Sequence, residues 1–412
     1  MEQQASARAT GMSTERRVLL WMCVLVGVNQ LGFGGIVPVL PLYAQSFGVS
    51  VSAVGLTVAI YGLARFVVAT PSGHLSDWMG RRSTLALGGL VSALGNVWCA
   101  SATGFPEFVV ARFVAGCGAG LMLTTGQIIL ADITTPERRG RAIAIYQGVF
   151  IFTVGIGPFP GGLLAEHVGL AAPFVAYGIA GVVSAAIARF LVTETRDLAQ
   201  LREGWTAGPR PSFLSQLGAL SRRVGFVLVS LLALVNALAR TGGLFTIVPV
   251  IGSVRLGLSV AEIGFGLALG SAMGLIAAYP AGMLVDMFGR KAVIVPGTVT
   301  AGLSMLLFCL APSYAWFIAA CLVWGMASSI GSAAPAAYAA DSAPPGLNAS
   351  TMSTFRMIGD SGYVIGPLAL GLVVDVFGPD AALVLAAALL GLIGLAFALF
   401  APETYRGSRR QP

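Results

Sequence analysis

Apolar residues run in twelve long blocks along the chain, beginning near Val18, Val54, Thr84, Phe108, Ala142, Ala171, Val224, Ala261, Ala292, Ala315, Thr351 and Ala381. Each block reaches about 20 residues, the length that carries a helix across a bilayer core. Short polar turns separate them, except for one longer polar stretch from Glu194 to Arg223 between two sets of six. The pattern predicts an all-α membrane protein of twelve transmembrane helices. It is divided into an N-terminal six-helix bundle (residues 1–193), a cytoplasmic linker (194–223) and a C-terminal six-helix bundle (224–412). Within the linker, Ser212 can cap a short helix whose Phe213, Leu214, Leu217 and Leu220 share one face on the membrane surface; a plain tether fits equally well.

The second six blocks repeat the first in a single register. Gly73, Leu75, Asp77, Gly80, Arg81 and Arg82 recur as Gly282, Leu284, Asp286, Gly289, Arg290 and Lys291, each 209 residues on. The same shift carries Pro71 to Pro280, Gly116 to Gly325, Asp132 to Asp341, and Gly157-Pro158 to Gly366-Pro367. Parallel repeats of this kind describe a transporter whose halves are related by a pseudo-two-fold axis along the membrane normal, with the solute site between them. Specific function is then to be sought where the halves differ.

Composition narrows the classes. Hydrophobic residues make up 56% of the chain and charged residues only 10%, which excludes an ordinary soluble domain. The net charge of +7 marks topology rather than nucleic-acid binding. With the amino terminus inside, 18 of the 24 basic residues face the cytoplasm and only Arg255 faces out, while Arg65, Arg112, Arg189, Arg240 and Arg356 fall within blocks. Basic loops stay on the cytoplasmic side, so both termini are expected there, in a multi-pass protein of the cell (inner) membrane. The only lysine, Lys291, closes no G-x-x-x-x-G-K-[ST] loop, so no ATP-binding P-loop is encoded. Two histidines and five scattered cysteines give no metal-ligand spacing, and no nucleophile stands with a base and an orienting acid. Neither enzyme chemistry, nor a metal, nor a cofactor is expected.

Several motifs now carry a resemblance. Gly73-x-Leu75-x-Asp77-x-x-Gly80-Arg81-Arg82, with its second copy, resembles the signature loop of the major facilitator superfamily. In the first block, Leu31-Gly-Phe-Gly34-Gly-Ile-Val-Pro38-Val-Leu-Pro41 resembles a motif of that superfamily's twelve-span drug:proton antiporter branch. Arg112 with Gly116 and Gly120 resembles the branch's proton-coupling motif, although Ala115 stands where Gln is usual. Gly157-Pro158-Phe-Pro-Gly161-Gly162 resembles its antiporter motif, with Thr153 in place of an earlier Gly. The resemblance implies the major facilitator fold of two pseudo-symmetric six-helix bundles. It also implies latches, Arg81 with Asp132 and Arg290 with Asp341, aided by Asp77 and Asp286 and favouring an outward-facing state. Gly116 and Gly120 equally suit simple close packing.

The charges inside the blocks are not copied between halves. The shift pairs Arg65 with Gly274, Arg112 with Cys321, Arg240 with Leu31, Arg356 with Gln147 and Asp360 with Ile151. A charge near the bilayer centre costs about 2.5 to 3.5 kcal/mol even on insertion scales, so these residues are candidates for function. They fall on polar stripes at helical spacing: Thr57, Tyr61 and Arg65; Asn236 and Arg240; Arg356, Asp360 and Tyr363. Asn29 and Gln30 add neutral hydrogen-bonding groups, toward the solute or toward a neighbouring helix. Asp360 lies about 13 Å in from Thr351 at 1.5 Å per residue, too deep for its short side chain to reach either surface. It is the expected proton carrier, with Arg356 and Arg112 as coupling partners. Arg356 lies one turn from it and can instead hold it in a fixed ion pair. Arg356 and Arg112 also lie close enough to span ends to reach water. Tyr61, Arg65, Asn236, Arg240, Tyr363, Asn29 and Gln30 are the expected solute contacts. Four guanidiniums against one carboxylate favour neutral, zwitterionic or anionic solutes over lipophilic cations. The expected activity is proton-coupled efflux of a small organic solute or drug by a monomer in the lipid bilayer, with import of an organic anion as the alternative.

Overall fold

The computed structural model describes residues 14–134, 136–195, 218, 220–342 and 348–404. The expected Ser212-capped helix lies outside them, apart from its last apolar residue, Leu220. Among the described residues, twelve helices are long and apolar enough to cross a membrane. Span one is Thr14–Ile36, followed by a short helix, Leu40–Gln45. Spans two, three and four are Val51–Met79, Arg81–Ser101 and Phe105–Ile133. Span five is split into Pro136–Ile156 and Pro158–Val168, and span six is Ala172–Phe190. Span seven runs as Val224–Leu238, a π-helical segment Ala239–Ile247, and Val248–Val254. Spans eight to twelve are Val260–Phe288, Lys291–Cys309, Tyr314–Asp341, Asn348–Phe377 and Pro379–Phe400.

Local chemistry explains the ends. Proline occupies the first turn of helices at Pro106, Pro158, Pro173 and Pro379, where its missing N–H removes no helical bond. Gly80 (φ 90°) and Gly289 (φ 93°) make the reversals between spans two and three and between eight and nine. Only glycine takes that backbone conformation without strain, which is why the loop motif carries it twice.

Packing follows the repeat. In the first half span three packs on four and six, two on four, and one on five; in the second, nine packs on ten and twelve, eight on ten, and seven on eleven. The halves meet through spans two with eleven and five with eight, two pairs that the repeat interchanges. A Cβ on Gly55 would strike the Pro367 carbonyl, and one on Gly264 would strike the Pro158 carbonyl. Both partners of the first contact become those of the second by the 209-residue shift. Nearby, Phe159 and Phe265 stack edge-on with centroids 5.4 Å apart, and Asp375 accepts the Val51 N–H at 3.0 Å. These contacts lie at the distal face, opposite the face where span one begins and span twelve ends. Toward that terminal face Gly73 and Gly148 meet nothing within 4 Å. The halves are thus held together at the distal face.

Candidate functional site

Two cavities that share Tyr363 hold the candidate residues, the larger lined by the second half alone and the smaller by both halves. The larger, about 190 Å³, is lined by Asn236 and Arg240 of span seven, Trp324 of span ten, and Arg356, Asp360 and Tyr363 of span eleven. The smaller, about 50 Å³, takes Phe33, Tyr61, Arg65 and Arg112 from the first half and Thr241 and Phe245 from the second. Tyr363 lines both.

Helical spacing brings Arg356, Asp360 and Tyr363 onto one face of span eleven. Arg240 sits in the π-helical segment, where the Thr246 hydroxyl donates five residues back to the Thr241 carbonyl at 2.8 Å. Such widened turns recur at functional sites, and no periodicity in the sequence announces this one. Asn236 donates its Nδ2 to the Leu232 carbonyl at 2.9 Å, which leaves its amide oxygen for the cavity.

Asp360 is open to the cavity, and the guanidiniums of Arg356 and of Arg65, from the opposite half, act on it electrostatically. No ion pair closes between Asp360 and Arg356 among the described residues, although their spacing allows one. Both side chains instead line the larger cavity.

Arg112 does not reach water. It is 1% exposed, because span four begins at Phe105 and carries position 112 inward among neighbouring helices. Its guanidinium carbon lies 4.3 Å from the Tyr61 ring centroid, and its Nε donates to the Thr57 carbonyl at 3.4 Å. The Tyr61 hydroxyl is 3.2 Å from the Tyr177 hydroxyl, which donates to Asn29 Oδ1 at 3.2 Å. Asn29 thus bonds neighbouring helices inside the first half, and buried Gln30 lines neither cavity. Gly116 and Gly120 let span four lie against the span-two backbone at Tyr61 and Arg65, placing both side chains.

The repeated loops form matching constellations at the terminal face. Arg81 meets Asp77 at 2.8 Å and Asp132 at 3.1 Å. Thr195 donates to Asp132 at 2.9 Å, and the Glu194 carboxylate accepts the Arg81 and Arg82 N–H groups at 3.0 and 3.1 Å. In the second half Arg290 meets Asp341 at 2.9 Å. There Thr404 donates to Asp341 at 3.3 Å, and Glu403 accepts the Arg290 and Lys291 N–H groups at 3.2 and 3.0 Å. The Asp286 side chain lies outside the described residues. Glu194 and Thr195, read from sequence as linker, therefore belong to the first bundle's loop. The shift that carries them to Glu403 and Thr404 was the signal that identifies them. In span five, Gly157 and Gly161 press on Gly34 and Gly35 of span one, Gly162 faces Ala261 of span eight, and the Pro158 carbonyl faces Gly264.

The sequence model of the Major Facilitator Superfamily matches residues 22–275 and 229–412. The chain belongs to that superfamily. An uncharacterized MFS-type transporter of Methanocaldococcus jannaschii is 24% identical over 363 residues, covering 87% of this chain and 91% of that protein. Citrate exporter 1 of Aspergillus niger is 29% identical over 158 residues, 38% of this chain and 30% of that protein. Quinolone resistance protein NorA of Staphylococcus aureus is 26% identical over 154 residues, 37% and 39% of the two chains. A solved bacterial homolog of the human lysosomal transporter Spinster, in an inward-facing and unoccupied conformation, has a TM-score of 0.75 at 17% identity. That match covers 95% of this chain and 97% of the other. A D-xylose-proton symporter has a TM-score of 0.72 at 17% identity, covering 94% and 99%. These likenesses show the major facilitator fold, two pseudo-symmetric bundles of six helices. This chain is a multi-pass membrane transporter of the superfamily.

Proposed function

We propose that this transporter exports a small organic solute in exchange for protons, as a monomer of the cell's inner membrane with both termini in the cytoplasm. The observation that carries the reading is Asp360: one carboxylate deep in span eleven, open to the cavity, facing Arg356 of its own half and Arg65 of the other. A carboxylate so placed is neutralised either by a proton or by the guanidiniums, and the balance changes when the halves move Arg65 relative to Asp360. In exchange the two ligands compete: a solute that hydrogen-bonds the ionised Asp360 carboxylate favours release of the proton, and protonation of Asp360 favours release of the solute. Arg112 supports the coupling through the Tyr61 ring. The remaining solute contacts are Asn236, Arg240 and Tyr363.

Movement between access states takes place about the glycine-rich contacts of spans two with eleven and five with eight. The N-terminal bundle, extended to Thr195, and residues 224–412 rock as the two bodies, with 196–223 connecting them. The Arg81–Asp132 and Arg290–Asp341 pairs each lie within one half. We therefore assign them, with Asp77 and Asp286, to bracing each loop as part of a rigid body. As latches they also serve to favour the outward-facing state. The name of the citrate exporter favours export.

Import of an organic anion with a proton is the second reading, favoured by four guanidiniums around one carboxylate. Solute flux in proteoliposomes with an imposed pH difference separates the two. Exchange predicts that acid on the side opposite the solute accelerates its movement, and symport predicts acceleration by acid on the solute's own side. Indifference to the gradient in either direction would remove proton coupling altogether.

A further inference from the structure

Arg112 carries a buried charge that forms no ion pair with an acid among the described residues. Its Nη1 is buried and has no hydrogen-bond partner, and its other contacts are one long bond to a carbonyl and the face of Tyr61. Removing an unpaired ion from water costs several kcal/mol, whereas a cation–π contact returns about 0.5 to 2 kcal/mol. An anion arriving beside the guanidinium would offset the difference.

The smaller cavity can receive one. Arg112 and Arg65 both line it, no carboxylate does, and Phe33, Val37 and Phe245 give it apolar walls, which strengthen any charge interaction inside. Its volume of about 50 Å³ suits a carboxylate group or a halide rather than a whole solute. The Tyr61 and Thr241 hydroxyls are already engaged, with Tyr177 and with the Ala237 carbonyl. Tyr363, which stands between the two cavities, is the hydroxyl left to offer.

We infer that the smaller cavity is an anion subsite, in which Arg112 and Arg65 hold one compact monoanion, the carboxylate of a solute whose body lies beyond Tyr363 in the larger cavity. The transported class is then small organic monocarboxylic acids in their ionised form, with Trp324 and Phe355 of the larger cavity against the carbon skeleton. This inference rests on the reading that the two cavities form the solute path. A free halide shares the chemistry of the subsite, and the test separates the two sources.

Binding of sodium benzoate, benzamide and sodium chloride to the purified full-length protein is measured by calorimetry, in buffer whose only other inorganic anion is sulfate. Benzoate is expected to bind saturably, benzamide to bind far more weakly, and chloride to compete with benzoate. Arg112→Gln should raise the benzoate Kd by about 30-fold or more, and Arg112→Lys, which keeps the charge but loses the planar fork, by less. Should Arg112→Gln not elute as a monodisperse protein, half-exposed Arg65 carries the same test as Arg65→Gln. Equal affinity for benzoate and benzamide, or benzoate binding unaltered in the variants, overturns the inference. Arginine-dependent chloride binding without benzoate binding overturns the assignment of the solute class. Binding is read without a pH gradient, so loss of proton-driven flux with benzoate binding intact would count against exchange and not against the subsite.

Discussion

The two halves of this transporter are the same machine with different contents. At the terminal face the loops match almost atom for atom: arginine to aspartate at 3.1 and 2.9 Å, a threonine on that aspartate, and a glutamate beneath the two N–H groups that follow the glycine. At the interface, Gly55 on Pro367 is repeated as Gly264 on Pro158. In the cavity the likeness stops, because Arg65, Arg112, Arg240, Arg356 and Asp360 face Gly274, Cys321, Leu31, Gln147 and Ile151 at the equivalent positions. Two access states related by symmetry need equivalent scaffolds, whereas recognition of an asymmetric solute needs unlike walls.

Crowding the interface gives the largest expected effect and tests the scaffold's symmetry. Gly55→Val and Gly264→Val each drive a side chain into a proline carbonyl, and overpacking of this kind costs about 1 to 3 kcal/mol. Both variants should lose distal closure and most transport, to a similar degree, measured as initial flux and as labelling of a cysteine placed at the distal face. A strong effect in one and none in the other would break the equivalence of the halves.

Removing the loop arginines comes next. The Arg81–Asp132 pair is enclosed, at 8% and 9% side-chain exposure, against 18% and 34% for Arg290–Asp341. Arg81→Ala takes the guanidinium from the buried Asp132 carboxylate and should destabilise the protein by about 3 kcal/mol, while Arg290→Ala should cost about 1 kcal/mol. Thermal unfolding in detergent ranks the two, and the reverse order would refute the burial reasoning.

The smallest effect sharpens a difference at the distal face. Span eight closes its own first turn through Ser259 and Glu262, but Ala53 occupies the matching position in span two. There Val51 and Ser52 turn to Asp375 of the other half at 3.0 and 3.2 Å. Asp375→Ala should loosen distal closure by about 1 kcal/mol, the scale of a lost helix cap. Glu262→Ala should weaken span eight's end without changing distal cysteine labelling. Equal labelling in both variants would show that Asp375 is no clasp.

Much of this was legible in the sequence for a physical reason: membrane spans must be long, apolar and internally hydrogen-bonded, and a duplicated chain keeps its register. The one-sided charges could be read from the same register. Helical spacing shows which residues share a face but not where a side chain turns, so it allowed an Arg356–Asp360 pair that the structure leaves open. Distance from a span end suggested that Arg112 could reach water, whereas neighbouring helices bury it. The π-helical turn at Arg240 and the clasp at Asp375 depend on contacts between distant segments, which no local pattern carries.

The central claim is that proton coupling resides in the single carboxylate that one half has and the other lacks. Asp360→Asn, reconstituted in proteoliposomes with an imposed pH difference, tests it most directly. The account predicts that the gradient no longer drives solute movement while solute-for-solute exchange continues. Gradient-driven flux at the parent's rate in that variant would contradict it.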